Sequence, residues 1–382
     1  MMMSMLPLPW HLKTGPFPGF PPVTPCLLLP DSSHHPLVLT AATLRHILSV
    51  VAHCYLLPSP LVHIRSHSFI APWKPIVTMD PKPVFAVTHP RACSTAFERV
   101  FMTRRDVLDS QHEPFGDAFY YGPEFLSDRY RDDPATRAAH PQSDQTYKSI
   151  LDHFAEVEKQ GKRVFIKDMA YYLFPPEGQP TKIAESLGGG EEPGNPTVIP
   201  LDVLRQFHFT FLIRHPRRSI PSYYRCVIPP LNEITGWNDF MPSETGYEEL
   251  VRLFDYLIEQ DIVDKDHLTV LDADDLLDSP EAMIKLYCER TGIEFDPKML
   301  VWDQEDKEHA AKLFAKWNGF HDDVLGTDRL MARTHAQKTS TVESENKEWT
   351  DKYGPEAQKL IRELVDANIP HYDYLKQFCL KV

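Results

Sequence analysis

Three stretches of this 382-residue chain combine charge, hydroxyl groups and turn-forming residues at spacings that suit anion chemistry. The first reads Thr88-His89-Pro90-Arg91-Ala92-Cys93-Ser94-Thr95-Ala96-Phe97. An apolar run enters it and a helical pattern leaves it, so backbone N–H groups and the positive end of a helix converge there. Ser94 and Thr95 add hydroxyl donors, and Arg91 adds a fixed charge. The second reads Arg214-His215-Pro216-Arg217-Arg218-Ser219-Ile220-Pro221-Ser222-Tyr223-Tyr224-Arg225, with four arginines in twelve residues. The guanidinium fork suits phosphate oxygens. Arg214 stands eight residues before Ser222, so a strand end and an early helical turn can reach one phosphate. The third is Lys167-Asp168-Met169-Ala170 after another apolar run, which projects Lys167 near the first loop. The ordinary readings are a capped strand–helix turn, a solvated basic turn and a surface strand end. No GxxxxGK[ST] occurs, which argues against a nucleotide-hydrolysing Walker loop and a small-molecule kinase.

The elements that must position these residues follow from periodicity. Val84–Thr88, Val164–Ile166, Phe207–Ile213 and Leu268–Leu271 are short apolar runs rich in β-branched or aromatic residues, and they predict buried strands. Ser94–Thr103 carries Ala96, Phe97, Val100 and Phe101 at helical spacing. A helix with Ile150, Leu151, Phe154 and Val157 on one face is expected to be capped by Ser143 or Asp144 and stopped by Gly161. Tyr247, Leu250, Val251, Phe254, Leu257 and Ile258 predict an amphipathic helix. Ser279-Pro280-Glu281 opens another that runs to Gly292, and Pro355 opens the last. Pro175–Pro200, with Gly188-Gly189-Gly190, reads as a long mobile loop. Strands alternating with helices predict an α/β fold with a central, mainly parallel sheet. Ligands of such sheets bind at the carboxyl ends of strands, where all three stretches fall.

Composition narrows the function class. Forty Lys+Arg against fifty-four Asp+Glu give a net charge of −14, which argues against nucleic-acid binding. An anionic ligand then needs a local basic pocket. Six cysteines without a CxxC make neither a disulfide framework nor a zinc site, so a reducing, cytoplasmic setting and no metal are expected. Residues 1–78 differ from the rest: Lys13, Arg45, Arg65 and Lys74 face a single acid, Asp31, and prolines are dense. They read as a disordered or loosely attached extension, and 79–382 as the folded domain. Leu37–Leu57 approaches bilayer-spanning length, but Arg45 inside it argues against a span, and no membrane association is expected.

Pro90-Arg91-Ala92-Cys93-Ser94-Thr95 resembles the P-[KR]-[SA]-x-[ST]-[ST] loop of the P-loop sulfotransferases. Arg214 and Ser222 match that family's Arg…Ser pair at the same spacing, followed by a similar Ser222-Tyr223-Tyr224. Asp272–Gly292 is similar to its D-x-L-x-x-x-P-E…G segment, and Asn368–Leu375 to the end of related chains. The likeness spans about residues 79–380. It implies the family's three-layer fold and PAPS (3′-phosphoadenosine-5′-phosphosulfate) as co-substrate. Arg91, Ala92, Cys93, Ser94 and Thr95 would grip the 5′-phosphosulfate, and Arg214 and Ser222 the 3′-phosphate. A small-molecule acceptor in a secondary-metabolic setting is implied, and a homodimer is allowed.

Several features depart from the family pattern. The family's catalytic His two residues after a strand-end Lys is replaced by Met169, and its adenine-stacking Trp by Ala96. The R-K-G-x-x-G-x-W loop is absent, with Arg333…Lys338-Thr339-Ser340 as its candidate substitute. The chain is thus similar to divergent fungal or bacterial members. Sulfuryl transfer depends on positioning and on neutralising the leaving phosphate. Arg91 is placed for that task, with Lys167 sharing it. The acceptor proton needs a base, for which Glu98 and Asp168 are the expected groups and His89 the third. Cys93 has no His/Asp frame to make it a nucleophile. Tyr120, Tyr121, Tyr171, Tyr172 and Phe174 are expected to line an acceptor pocket. The alternative is a sulfotransferase-fold pathway protein that binds a nucleotide or polyanion and does non-sulfating chemistry.

Overall fold

The computed structural model describes residues 81–382 except 177 and 335–339. The extension expected at 1–78 lies outside the described residues, as do Lys338 and Thr339. Five strands form one parallel sheet: β1 (Val84–Thr88), β2 (Leu108–His112), β3 (Arg163–Met169), β4 (His208–Ile213) and β5 (Val270–Asp272). Their spatial order is β2-β3-β1-β4-β5. The chain leaves β1 toward one edge of the sheet and leaves β4 toward the other. The crevice between these neighbouring strands is therefore the topological switch point, where ligands of such sheets bind. Thr88 aligns with Met169 of β3 and with Leu212 of β4, so the three strand ends lie level.

The helices are α1 (Ser94–Met102), α2 (Pro114–Tyr120), α3 (Tyr147–Lys159), α4 (Pro216–Cys226), α5 (Tyr247–Glu259), α6 (Pro280–Thr291), α7 (Gln304–Phe314), α8 (Val342–Tyr353) and α9 (Pro355–Lys376), with shorter turns between. Alternation along the strands divides them into two layers. Phe85, Val87, Ile166 and Phe211 pack with residues of α3, α5 and α9. Val84, Ala86, Phe165 and Leu212 pack with Phe97 and Phe101 of α1 and Tyr287 of α6. Each fully buried aromatic of this kind contributes ~1.5–3 kcal/mol by leaving water. The result is the three-layer α/β arrangement expected from the alternation of elements. The same alternation sends Lys167 to the α1 face with Phe165, and Asp168 to the opposite face with Ile166.

Two expectations are corrected, and one strand is added. No apolar run marks β2, because Leu108-Asp109-Ser110-Gln111-His112 is an edge strand buried only at its ends. Thr146, not Ser143 or Asp144, caps α3, through a reciprocal pair with Ser149. Within the segment expected to be mobile, residues 183–199 are held down: Ile183 N donates to Gly190 O and Ala184 N to Val198 O. Asn195 Oδ1 accepts from Thr197 N, Val198 N donates to Leu173 O, and Val198 and Ile199 are buried.

Candidate active site at the switch point

The turn after β1 is shaped by two residues in the left-handed region, Arg91 (φ 62°) and Cys93 (φ 61°). Alternating backbone hands of this kind make a concave row of N–H groups, an anion nest. Cys93 is the N-cap of α1, and no side chain caps the helix. The first-turn amides of Ser94, Thr95 and Ala96 have no intrahelical acceptor, and all three residues line a cavity of about 570 Å³.

His89 ties this turn to the end of β4. Its Nδ1 donates to Pro90 O (3.0 Å) and its Nε2 accepts from Arg214 N (2.9 Å). The ring stacks on Tyr247 at 4.0 Å and has no exposed surface. Burial pushes its pKa down to about 3, so the imidazole is neutral with both nitrogens engaged. His89 is a structural link, and its candidacy as base falls on that geometry.

The two basic stretches meet. Arg91 Nε donates to Ser222 Oγ (3.0 Å), and Arg214 Nη1 donates to Arg91 O (3.0 Å). Arg91 Nη1 also donates to Phe320 O. Arg91, Cys93, Ser94, Thr95, Arg214 and Ser222 all border the cavity, whereas Ala92 is buried beneath it in the α1 core. Arg217, Arg218 and Arg225 from α4 border it too. The Nε atoms of Arg214 and Arg217 are buried and lack a hydrogen-bond partner among the described residues. Unpaired buried guanidinium donors are costly, and an anionic ligand would satisfy them. The residues present therefore fit a polyanion such as PAPS. Arg333 does not join them: it is spent on Asp274 (2.9 Å) and Asp278 (2.8 Å).

The expected bases are not on the cavity wall. Asp168 has no exposed surface, and its oxygens accept from Phe115 N and Met169 N at 2.8 Å each. Burial raises its pKa well above the ordinary value. It anchors the start of α2 on the sheet face away from α1, which removes it as a base. Lys167 is also fully buried and does not border the cavity. It forms an ion pair with Glu113 and lies 3.6 Å from Glu98. It therefore reaches the cavity only through Glu113, which corrects its expected contact with the leaving phosphate. Glu98 is buried, with its pKa raised to about 8 mainly by desolvation, against the pull of Lys167.

Sequence reasoning missed the groups that are on the wall. His321 and Glu113 border the cavity. His321 Nδ1 lies 2.8 Å from Thr95 Oγ1, and its Nε2 lies 3.2 Å from His112 Nε2. His112 Nδ1 lies 2.8 Å from Glu98 Oε2. Burial and the nearby Lys167 hold both imidazoles well below the usual His pKa. Donor atoms of His112, Glu113 and His321 lie within 4.8 Å of one another, close enough to surround a cation. Lys167 already neutralises Glu113, and one shared proton satisfies the two facing Nε2 atoms, so the trio is complete as a hydrogen-bonded network. Aromatic side chains also line the cavity: Tyr171, Tyr172, Trp237, Trp317 and Phe320, with Met169. Tyr120, Tyr121 and Phe174, expected there, are core residues off the wall.

Among the described residues no helix is long and apolar enough to cross a membrane, and no protein-family model matches the chain. Sulfotransferase ppzF of Metarhizium majus (strain ARSEF 297) is 27% identical over 246 residues, covering 57% of this chain and 70% of the relative. Its counterpart from Metarhizium rileyi (strain RCEF 4871) is 26% identical over the same shares. Among solved structures, the sulfotransferase domain from the curacin biosynthetic pathway is 14% identical (TM-score 0.39; 71% of this chain, 97% of that one). Mouse sulfotransferase SULT7A1, complexed with PAP, is 10% identical (TM-score 0.37; 78% and 88%). In motif order, sheet and anion loop the chain is similar to a divergent sulfotransferase, in keeping with its likeness to the two curated sulfotransferases.

Proposed function

We propose that the protein transfers the sulfuryl group of PAPS to a hydroxyl or amine of a small-molecule acceptor. The observation that carries this reading is the pair of unpartnered buried guanidinium Nε atoms, Arg214 and Arg217, beside the uncapped start of α1. The nest amides with Arg91, Ser94 and Thr95 hold the 5′-phosphosulfate, and Arg214 with Ser222 holds the 3′-phosphate. Arg91 stabilises the charge that grows on the departing phosphate. The aromatic wall holds the acceptor. His321 takes the acceptor's proton. When sulfuryl oxygens draw the Thr95 hydroxyl away, His321 Nδ1 is open to the acceptor, so this ring supplies from a distant part of the chain the base that Met169 does not.

Calorimetry with PAP, followed by PAPS with a panel of phenols, alcohols and amines read by mass spectrometry, tests the reading. Binding of PAP and at least one sulfated product are expected. PAP binding with no sulfated product would favour a donor-binding pathway protein, and no PAP binding would overturn the site itself.

A further inference from the structure

Behind Thr95 stands a line of side chains that the donor does not explain. It runs from the cavity into the protein as Thr95, His321, His112 and Glu98, with steps of 2.8, 3.2 and 2.8 Å. Glu98 and the His112 side chain are buried, and Glu98 Oε1 has no partner among the described residues. Two proton arrangements satisfy all three contacts. In one, Thr95 donates to His321, His321 to His112, and His112 to a Glu98 carboxylate. In the other, every donor is reversed and Glu98 is a carboxylic acid. The two differ by one proton, and neither contains an imidazolium.

We propose that His112 and Glu98 are the inner part of a proton relay that carries the acceptor's proton from His321 to the Glu98 carboxylate. The inference rests on the reading of His321 as base. An imidazolium left at His321 would sit buried near Lys167 and Arg91, both of which disfavour it. Handing the proton inward avoids that state. The acceptor O–H bond breaks as its oxygen bonds to sulfur, and the sulfur–oxygen bond to the phosphate breaks with its electron pair leaving on the phosphate. The acceptor proton joins His321 Nδ1, the His321 Nε2 proton passes to His112 Nε2, and the His112 Nδ1 proton passes to Glu98 Oε2. Both rings end neutral as the other tautomer, and Glu98 ends protonated. His112 and Glu98 are positioning and proton-accepting residues; neither borders the cavity.

The test compares two aromatic acceptors with PAPS: 4-nitrophenol, which ionises readily, and 2-phenylethanol, which does not. Losing a base costs about 10²–10⁴ in rate where proton removal is demanding. Glu98→Gln is expected to lower transfer to 2-phenylethanol about 100-fold, at least tenfold more than transfer to 4-nitrophenol. The parent rate should rise with pH through the ionisation of Glu98, near 8, and the Gln variant should lack that limb. Glu98 is faced by His112 from β2, Lys167 from β3 and Glu113 after β2, with the charge of Asp168 felt from across the sheet, and these remain in the variant. His112→Gln is the second cut.

Equal losses for both acceptors, no loss with the alcohol, or a limb that survives in Glu98→Gln overturns the relay. If His321→Asn keeps alcohol transfer, the base assignment falls and the relay with it. If only His321→Asn is impaired, the relay alone falls. Should the parent sulfate neither probe, PAP is titrated calorimetrically near pH 8 in two buffers of different ionisation enthalpy. The polyanion raises the Glu98 pKa, so the parent takes up more protons than Glu98→Gln; identical uptake overturns the proposal.

Discussion

Replacing His89 by Asn probes the joint between the two anion-binding turns, and its effect depends on pH. The ring is neutral in the fold, with a pKa of about 3 against an ordinary value of 6.5. Between those values the unfolded chain holds a proton that the fold refuses. The contribution is therefore complete above pH 6.5 and is lost as pH falls toward 3. At pH 4.5, two units below the unfolded value, the loss is ~3 kcal/mol, at about 1.4 kcal/mol per unit. At pH 7.5 the Asn variant forfeits the contacts to Pro90 O and Arg214 N and the stack on Tyr247, about 2–4 kcal/mol together. The gap between parent and variant should thus shrink by ~3 kcal/mol from pH 7.5 to pH 4.5. Buried Glu98, Asp168, His112 and His321 titrate in both chains and cancel in the difference. Urea unfolding at the two pH values measures it. Parallel stabilities across that range would refute a buried neutral His89 and remove the account of how the turns are joined.

Other outcomes test the donor site and the domain. Arg214→Ala should weaken PAP binding more than tenfold and Ser222→Ala about threefold, since a charge-assisted contact contributes roughly 1.5–3 kcal/mol and a neutral one about 1; calorimetry giving parental affinity for Arg214→Ala would undo the 3′-phosphate assignment. A chain starting at Met79 should melt within a few degrees of the full chain, roughly a 1 kcal/mol allowance, because residues 81–382 hold the five-stranded sheet and a core on each of its faces. Prolonged EDTA treatment should leave PAP affinity and transfer intact; a loss restored by one divalent ion would place a cation among His112, Glu113 and His321.

Much of the scaffold is legible in the chain because burial writes itself as apolar runs. β1, β3 and β4 lie between helices on both faces, so each carries an apolar stretch, and the runs Val84–Thr88, Val164–Ile166 and Phe207–Ile213 announce them. The donor loops are legible for a related reason. They are local: each is a strand end, a turn and a helix start within a dozen residues, so type and spacing alone bring the anion donors together.

The acceptor side is hidden by the same physics. β2 is an edge strand whose middle is only partly buried, so polar residues are tolerated and no run marks it. Yet β2 delivers His112 and, one residue on, Glu113. His321 comes from a segment with no periodicity and meets Thr95 across 226 residues of sequence. Glu98 was visible as a carboxylate in the first turns of α1, but its neighbours decide its chemistry. Only the pairing of β2 with β3, which aligns His112 with Lys167, surrounds it with a buried imidazole and a buried amine. A titratable residue's role is set by what burial and charge do around it. For Glu98 that environment is assembled from three strand and loop ends, which no local pattern could join. Asp168 shows the converse: next to Lys167 in sequence, it is turned by one step of the strand to the opposite face, where two backbone amides claim it.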